Sequence, residues 1–111
     1  MIEILNARTA KPLPEDAIYI GRANPRFGRG SPLGNPFRVS STLSQEEAVT
    51  KYRVWLNEHW RQPGPVREEL LRLIDLYRRD GRLQLICWCA PEACHGDVVA
   101  EFIQQQVSEM P

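Results

Sequence analysis

The densest chemistry in the chain lies in the run Cys87-Trp88-Cys89-Ala90-Pro91-Glu92-Ala93-Cys94-His95-Gly96-Asp97. A thiol or imidazole at the start of a helix sits in positive potential, which lowers a cysteine pKa. His95 can act as acid or base near neutral pH. Asp97 can orient that imidazole or serve as a base itself. The pattern is that of a hydrolytic or transfer site working without a cofactor, with Cys94, His95 and Asp97 as candidate catalytic residues. Cys94 and His95 are too close in sequence to serve naturally as a mutual nucleophile and base. Two other readings compete. Cys87 and Cys89 would share one face of a strand, and with Cys94 and His95 they could complete a zinc set. The usual paired Cys-x-x-Cys knuckles are absent, however, and one short segment would be cramped as a source of four ligands. No metal is therefore assigned. The remaining reading is structural: Cys87 as a small core hydrophobe, Asp97 as a helix cap, and His95 bonded to a backbone carbonyl.

A second concentration is electrostatic. From Ala17 through Gln45 the chain carries no acidic residue, yet it holds Arg22, Arg26, Arg29 and Arg38. Formal net charge is +0 and the isoelectric point is near 6.7, so no global field attracts polyanions or membranes. A local basic surface on a neutral chain points to a small anionic ligand more than to a long polyanion. The alternative is a solvated loop whose arginines pair with acids from other segments. Gly28, Gly30 and Gly34 match neither a P-loop nor the dinucleotide fingerprint. They can supply positive φ and close backbone approach, or place amides against phosphate oxygens while an arginine adds a bidentate fork. Gly21, Arg22, Arg29, Gly34, Asn35 and Gly96 are the candidate ligand-binding residues.

These residues need elements to position them. Ile2 to Leu5 and Ala17 to Ile20 read as strands, separated by the turn Lys11-Pro12-Leu13-Pro14. Arg22 to about Thr42 reads as one long loop, whose Phe27, Leu33 and Phe37 argue for packing; a further strand is conceivable near Phe37 to Ser40. Ser44 followed by Glu47 is a capping box. It opens a helix with Ala48, Val49, Tyr52, Trp55, Leu56 and Trp60 on one face. Gln62-Pro63-Gly64-Pro65 leads into a second helix, with Val66, Leu70, Leu73, Ile74 and Tyr77 inward. Glu68–Arg72 and Asp75–Arg79 are suitably oriented i,i+4 pairs, and Gly81 is a natural stop. Leu83 to Trp88 reads as a strand buried on both faces, and Val98 to Val107 as a third amphipathic helix.

Strands alternating with helices predict an α/β layered domain with a mostly parallel central sheet of about three or four strands, Rossmann-like in plan. In such sheets ligands bind beyond the carboxyl ends of the strands. One candidate loop follows Ile20 and the other follows Trp88. If these two strands are parallel, the loops share an edge and face each other across one crevice, with the last helix aiming its amides into it.

At 111 residues the chain reads as one domain over 1–111. With 42% hydrophobic and 25% charged residues it is neither disordered nor coiled coil. No apolar run approaches the roughly 20 residues of a membrane span, and no secretory signal is evident. Three neighbouring cysteines form no disulfide framework, which suggests a reduced, cytoplasmic protein.

The combination of Ile18-Tyr19-Ile20-Gly21-Arg22, Ser31-Pro32-Leu33-Gly34-Asn35-Pro36-Phe37, Tyr52, Trp55-Leu56, Cys87-Trp88-Cys89-Ala90-Pro91 and Cys94-His95-Gly96-Asp97-Val98-Val99-Ala100 resembles the domain-of-unknown-function 4326 family of bacteria and phages. The Leu-Gly-Asn-Pro-Phe and Cys-His-Gly-Asp elements carry the likeness together. Ala23 to Phe27 looks inserted relative to the family pattern. The resemblance implies a compact single domain and no established activity. The expectation from the residues is a crevice between the Arg22–Phe37 loop and the Cys94–Asp97 loop that binds a small phosphorylated or nucleotide-like ligand, with hydrolase or transferase activity open and no cofactor. The alternative is a non-catalytic nucleic-acid-associated or phage–host interaction module. A small sheet with an exposed edge also leaves room for a homodimer.

Overall fold

Central to the fold is Leu83–Cys87, a strand of nearly continuous apolar residues flanked by a parallel neighbour on each side. The structure, a computed structural model, describes residues 1–10, 12–88 and 94–109. Lys11, Cys89 and the rest of the expected tight loop through 93 lie outside the described residues.

The elements in chain order are β1 (Ile2–Asn6), β2 (Ile18–Tyr19), β3 (Arg22–Asn24), β4 (Gly28–Gly30), α1 (Gln45–Trp60), α2 (Pro65–Asp80), β5 (Leu83–Cys87) and α3 (His95–Ser108). The main sheet has the order β1-β5-β2 and every pairing in it is parallel, with Ile2 opposite Leu83, Ile18 opposite Leu85 and Tyr19 opposite Ile86. The expected mixed α/β domain with a small parallel sheet is therefore present, with three strands and three helices among the described residues.

Each helix begins and ends for local reasons that the sequence states. Ser44 Oγ accepts from the Glu47 amide at 3.1 Å and the Ser44 amide donates to Glu47 Oε1 at 3.1 Å, the reciprocal capping box that starts α1. Pro65 occupies the first turn of α2, where no amide partner is needed. Gly81 closes α2 in the left-handed region at φ 71°, its amide donating to Tyr77 O. The three helices contact one another, and α2 and α3 pack on the sheet. Leu83 and Leu85, which alternate onto one face of β5, join Leu70, Leu73, Val98 and Val99 in the core.

Four local expectations are corrected. The segment after Ile20 is not one loop: Arg22–Asn24 and Gly28–Gly30 form an antiparallel hairpin, with Arg22 opposite Gly30 and Asn24 opposite Gly28. Asn24 Oδ1 accepts from the amides of Arg26 and Phe27, an Asx turn that reverses the chain. No strand forms over residues 37–40. The last helix starts at His95, three residues before Val98, because Cys94 caps it with Sγ accepting from the Gly96 amide. Arg72 pairs with Glu69 and Arg79 with Asp80, the closer carboxylate in each case, in place of the i,i+4 partners.

Candidate functional site

Because β2 and β5 are adjacent and parallel, the chain leaves both at the same edge. The Ile20 amide still donates to Ile86 O at 3.0 Å, extending the ladder one step past β2. Gly21 and Arg22 then emerge beside Trp88. Across from them, residues 31–37 fold back: the Ser31 amide donates to Gly21 O and the Gly34 amide to Ser31 O. A cavity of about 330 Å³ opens between these segments, the first turn of α3 and the N-terminal half of α1. That lies within the size range of ligand sites. Its walls include Gly21, Arg22, Asn35 and His95, and also Phe37, Arg38, Val39, Gln45, Ala48, Val49 and Trp88.

Four of the residues singled out in the sequence thus meet at one cavity. Five do not line it among the described residues: Arg29, Gly34, Cys94, Gly96 and Asp97. Arg29 stands opposite Ala23 in the hairpin and projects from the other face from Arg22, by strand alternation. Gly34 supports the wall from behind. A Cβ there would lie 3.0 Å from Arg22 N and from Gly21 C, so any larger residue would force the two segments slightly apart. Gly96 makes a close approach to the core: a Cβ there would lie 3.2 Å from Ile4 Cγ2 and 3.3 Å from Ile20 Cδ1. Asp97 is exposed in the first turn of α3, and the cap is Cys94.

Cys94 and Cys87 are both buried, their sulfurs 3.1 Å apart. Cys94 is disulfide-bonded, whereas Cys87 is free. Cys94 therefore offers no thiolate for attack, a correction to the reduced thiol expected from the sequence. No group of three metal-ligating side chains occurs among the described residues.

His95 is 8% exposed and its Nε2 lies 2.7 Å from Ile20 O. A carbonyl only accepts, so Nε2 carries the proton and Nδ1 is bare in the neutral ring. Burial lowers the His95 pKa below its ordinary 6.5, the Ile20 bond opposes that, the Arg22 charge lowers it further and the Asp97 charge raises it. The ring is therefore neutral at pH 7 and packs edge-on to Tyr52.

Arg22 Nη1 donates to Asn35 O at 3.2 Å, which leaves the rest of its fork open. Neither Arg22 nor Arg38 forms an ion pair, and no carboxylate lines the cavity among the described residues. Tyr19 organises the opposite rim. Its hydroxyl donates to Arg22 O at 2.6 Å and accepts from Asn24 Nδ2 at 2.7 Å and Trp88 Nε1 at 2.9 Å. Its ring stacks on Phe27 at 4.0 Å.

The sequence reading missed several wall residues. Arg38 belonged to the recognised basic stretch but was not selected. Gln45, Ala48 and Val49 carried no signal of their own, because only the return of residues 31–37 onto α1 makes its first turns part of a cavity.

No curated protein and no solved structure matches the chain. One family model, Domain of unknown function (DUF4326), matches residues 5–105. That match takes in both strands that open on the cavity, the segment that returns over it and most of the last helix, and the chain belongs to the DUF4326 family.

Proposed function

We propose that the cavity binds a small phosphorylated or nucleotide-like ligand. The carrying observation is that Arg22 and Arg38 both line a cavity walled by Trp88 and Phe37, with no carboxylate in the wall among the described residues. Guanidiniums suit phosphate oxygens through charge-assisted, bidentate hydrogen bonds. The aromatic and aliphatic walls suit a base or sugar. The finer comparison with a Rossmann-like site rests on the same support, parallel strands whose carboxyl ends open on the cavity.

Hydrolase or transferase chemistry would run through His95. With Nε2 committed to Ile20 O, Nδ1, which lies 3.9 Å from the buried Cys94 Sγ, is the ring atom left to take a proton from an attacking water or hydroxyl and return it to the leaving group. The Asp97 charge favours the protonated ring during that step.

The test is calorimetric titration with inorganic phosphate, nucleoside monophosphates and sugar phosphates, on the native chain and on Arg22→Ala and Arg38→Ala. Binding by the native chain that both substitutions weaken supports the reading. No binding of any of the three classes refutes it. Turnover of a bound compound, lost in His95→Ala with binding retained, supports the catalytic part.

A further inference from the structure

Four of the described cations in this molecule are ion-paired. Arg53, Arg72, Arg79 and Arg82 each meet a carboxylate, Glu101, Glu69, Asp80 and Asp16. Arg8, Arg22, Arg26, Arg29 and Arg38, like Lys51, Arg61, Arg67 and Arg78, form no ion pair among the described residues, although the chain as a whole holds 14 acids to 14 bases; the first five all lie within residues 8–38, and Ala17 to Gln45 carries no acid. Unpaired guanidiniums clustered on a neutral protein create a local field that the net charge conceals.

Four of these arginines are linked through the cavity. Arg22 and Arg38 line it, and so does Trp88. The Arg8 guanidinium lies over the Trp88 ring at 5.8 Å, and Phe27 meets Trp88 edge-on at 5.9 Å. Arg26 lies over Phe27 at 5.2 Å and also donates to Ala7 O at 2.7 Å, beside Arg8. Cationic and aromatic groups therefore continue from the cavity wall outward across the Trp88, Phe27 and Tyr19 rings. A free mononucleotide has no use for that extension. A strand needs both parts, since guanidiniums track its phosphates while aromatic and guanidinium planes stack its bases.

We infer that the cavity is the end pocket of a single-stranded nucleic-acid surface, in which one nucleotide enters between Arg22, Arg38 and Trp88 and the adjoining backbone crosses Arg8 and Arg26. This inference rests on the nucleotide-binding reading of the same cavity. It makes oligonucleotides the ligand class and gives the outer arginines a task that the cavity alone does not.

The experiment compares a fluorescein-labelled octathymidylate and octauridylate, by anisotropy, with thymidine and uridine monophosphates, by calorimetry. At least one octamer is expected to bind about tenfold or more tightly than its mononucleotide. Its affinity should fall with salt by roughly 0.7 log units per log unit for each phosphate contacted. Arg8→Ala, at an exposed residue whose side chain makes no hydrogen bond among those described, should weaken the octamer about fivefold and leave the mononucleotide unchanged. Arg26→Ala should do the same, with its melting temperature measured alongside because the side chain also holds Ala7. If mononucleotides bind but no octamer binds more tightly, the surface is refuted and the cavity reading stands. If Arg8→Ala weakens octamer and mononucleotide equally, or neither, the outer arginines have no separate task and the inference fails. If nothing binds, both readings fall.

Discussion

His95 Nε2 meets the carbonyl oxygen of Ile20 at 2.7 Å, a single hydrogen bond that ties the first turn of α3 to the point where the chain leaves β2. The two segments that flank the cavity are thereby fixed to each other through a buried ring. That bond needs a protonated Nε2 but not a charged ring. Burial, the largest influence on this histidine, opposes charging it.

A pH dependence follows with a definite sign. The folded-state pKa of His95 is lowered below the ordinary 6.5. As pH falls below that value, the unfolded chain takes up a proton that the folded chain resists, so folding stability is full above about 6.5 and declines on acidification. His95→Gln keeps a side-chain N–H able to reach Ile20 O and removes the titration. We expect the native melting temperature to drop more steeply than that of His95→Gln between pH 7 and the folded-state pKa. Parallel slopes would show that the ring charges as readily folded as unfolded.

Arg22 is the most informative substitution for binding. Its side chain makes one hydrogen bond among the described residues, to Asn35 O, exposed and long at 3.2 Å, so Arg22→Ala should change stability by less than about 0.5 kcal/mol. Removing a charge-assisted bond to a phosphate should cost about 1.5–3 kcal/mol of binding. Titration and thermal melting on one preparation separate the two effects. A large loss of stability with unchanged affinity would make Arg22 a structural residue.

The main fold was legible because its signals are local. Leu83 to Trp88 announces a buried central strand by being apolar at nearly every position, and Ser44 with Glu47 announces the start of α1. The parallel relation of Ile18–Ile20 to that strand followed from the alternation of elements. The hairpin at Arg22–Gly30 was hidden because its strands hold polar residues and glycine, with no apolar alternation to mark them. Its turn depends on the Asn24 side chain, which also reads as an ordinary loop residue. His95, Arg22 and Asn35 could be selected by type and by position after a strand. Arg29 could not be separated from Arg22 without knowing which face of a hairpin each would take. Gly34 and Gly96 stand out in the sequence as ligand-binding candidates, but the sequence does not say what approaches them. In both cases it is the protein itself.

Gly34 offers a test of that distinction. A Cβ at this position would crowd the backbone at Gly21 and Arg22 at 3.0 Å, and backbone cannot swing aside as a side-chain tip can. Gly34→Ala should therefore push residues 31–37 away from the start of the hairpin. The expected loss is about 1–3 kcal/mol of stability, read by urea unfolding. Ligand affinity should fall as well, because Asn35 and Phe37 follow directly and both line the cavity. Native stability with reduced affinity would instead mean that Gly34 faces the ligand.

The last prediction concerns how the segment over the cavity is held against α1. Tyr52 is fully buried, and its hydroxyl donates to Leu33 O at 2.6 Å. Burial raises the Tyr52 pKa, so the hydroxyl stays protonated and the bond persists across the accessible pH range. Leu33 is itself fully buried, which leaves its carbonyl little access to water. Tyr52→Phe keeps the ring, its packing on Trp55 and its edge contact with His95, and removes only the donor. An acceptor stranded in a buried setting costs about 1–3 kcal/mol, which should lower the melting temperature by several degrees for a domain of this size. Because Leu33 leads straight into Asn35 and Phe37, loosening it should also weaken ligand binding in the cavity. The two readouts divide the outcomes. Lost stability with unchanged affinity would mean that the Arg22–Asn35 contact and the Gly34 turn hold the wall unaided. Unchanged stability would mean that the Leu33 carbonyl finds another donor, and the hydroxyl would then have no structural role.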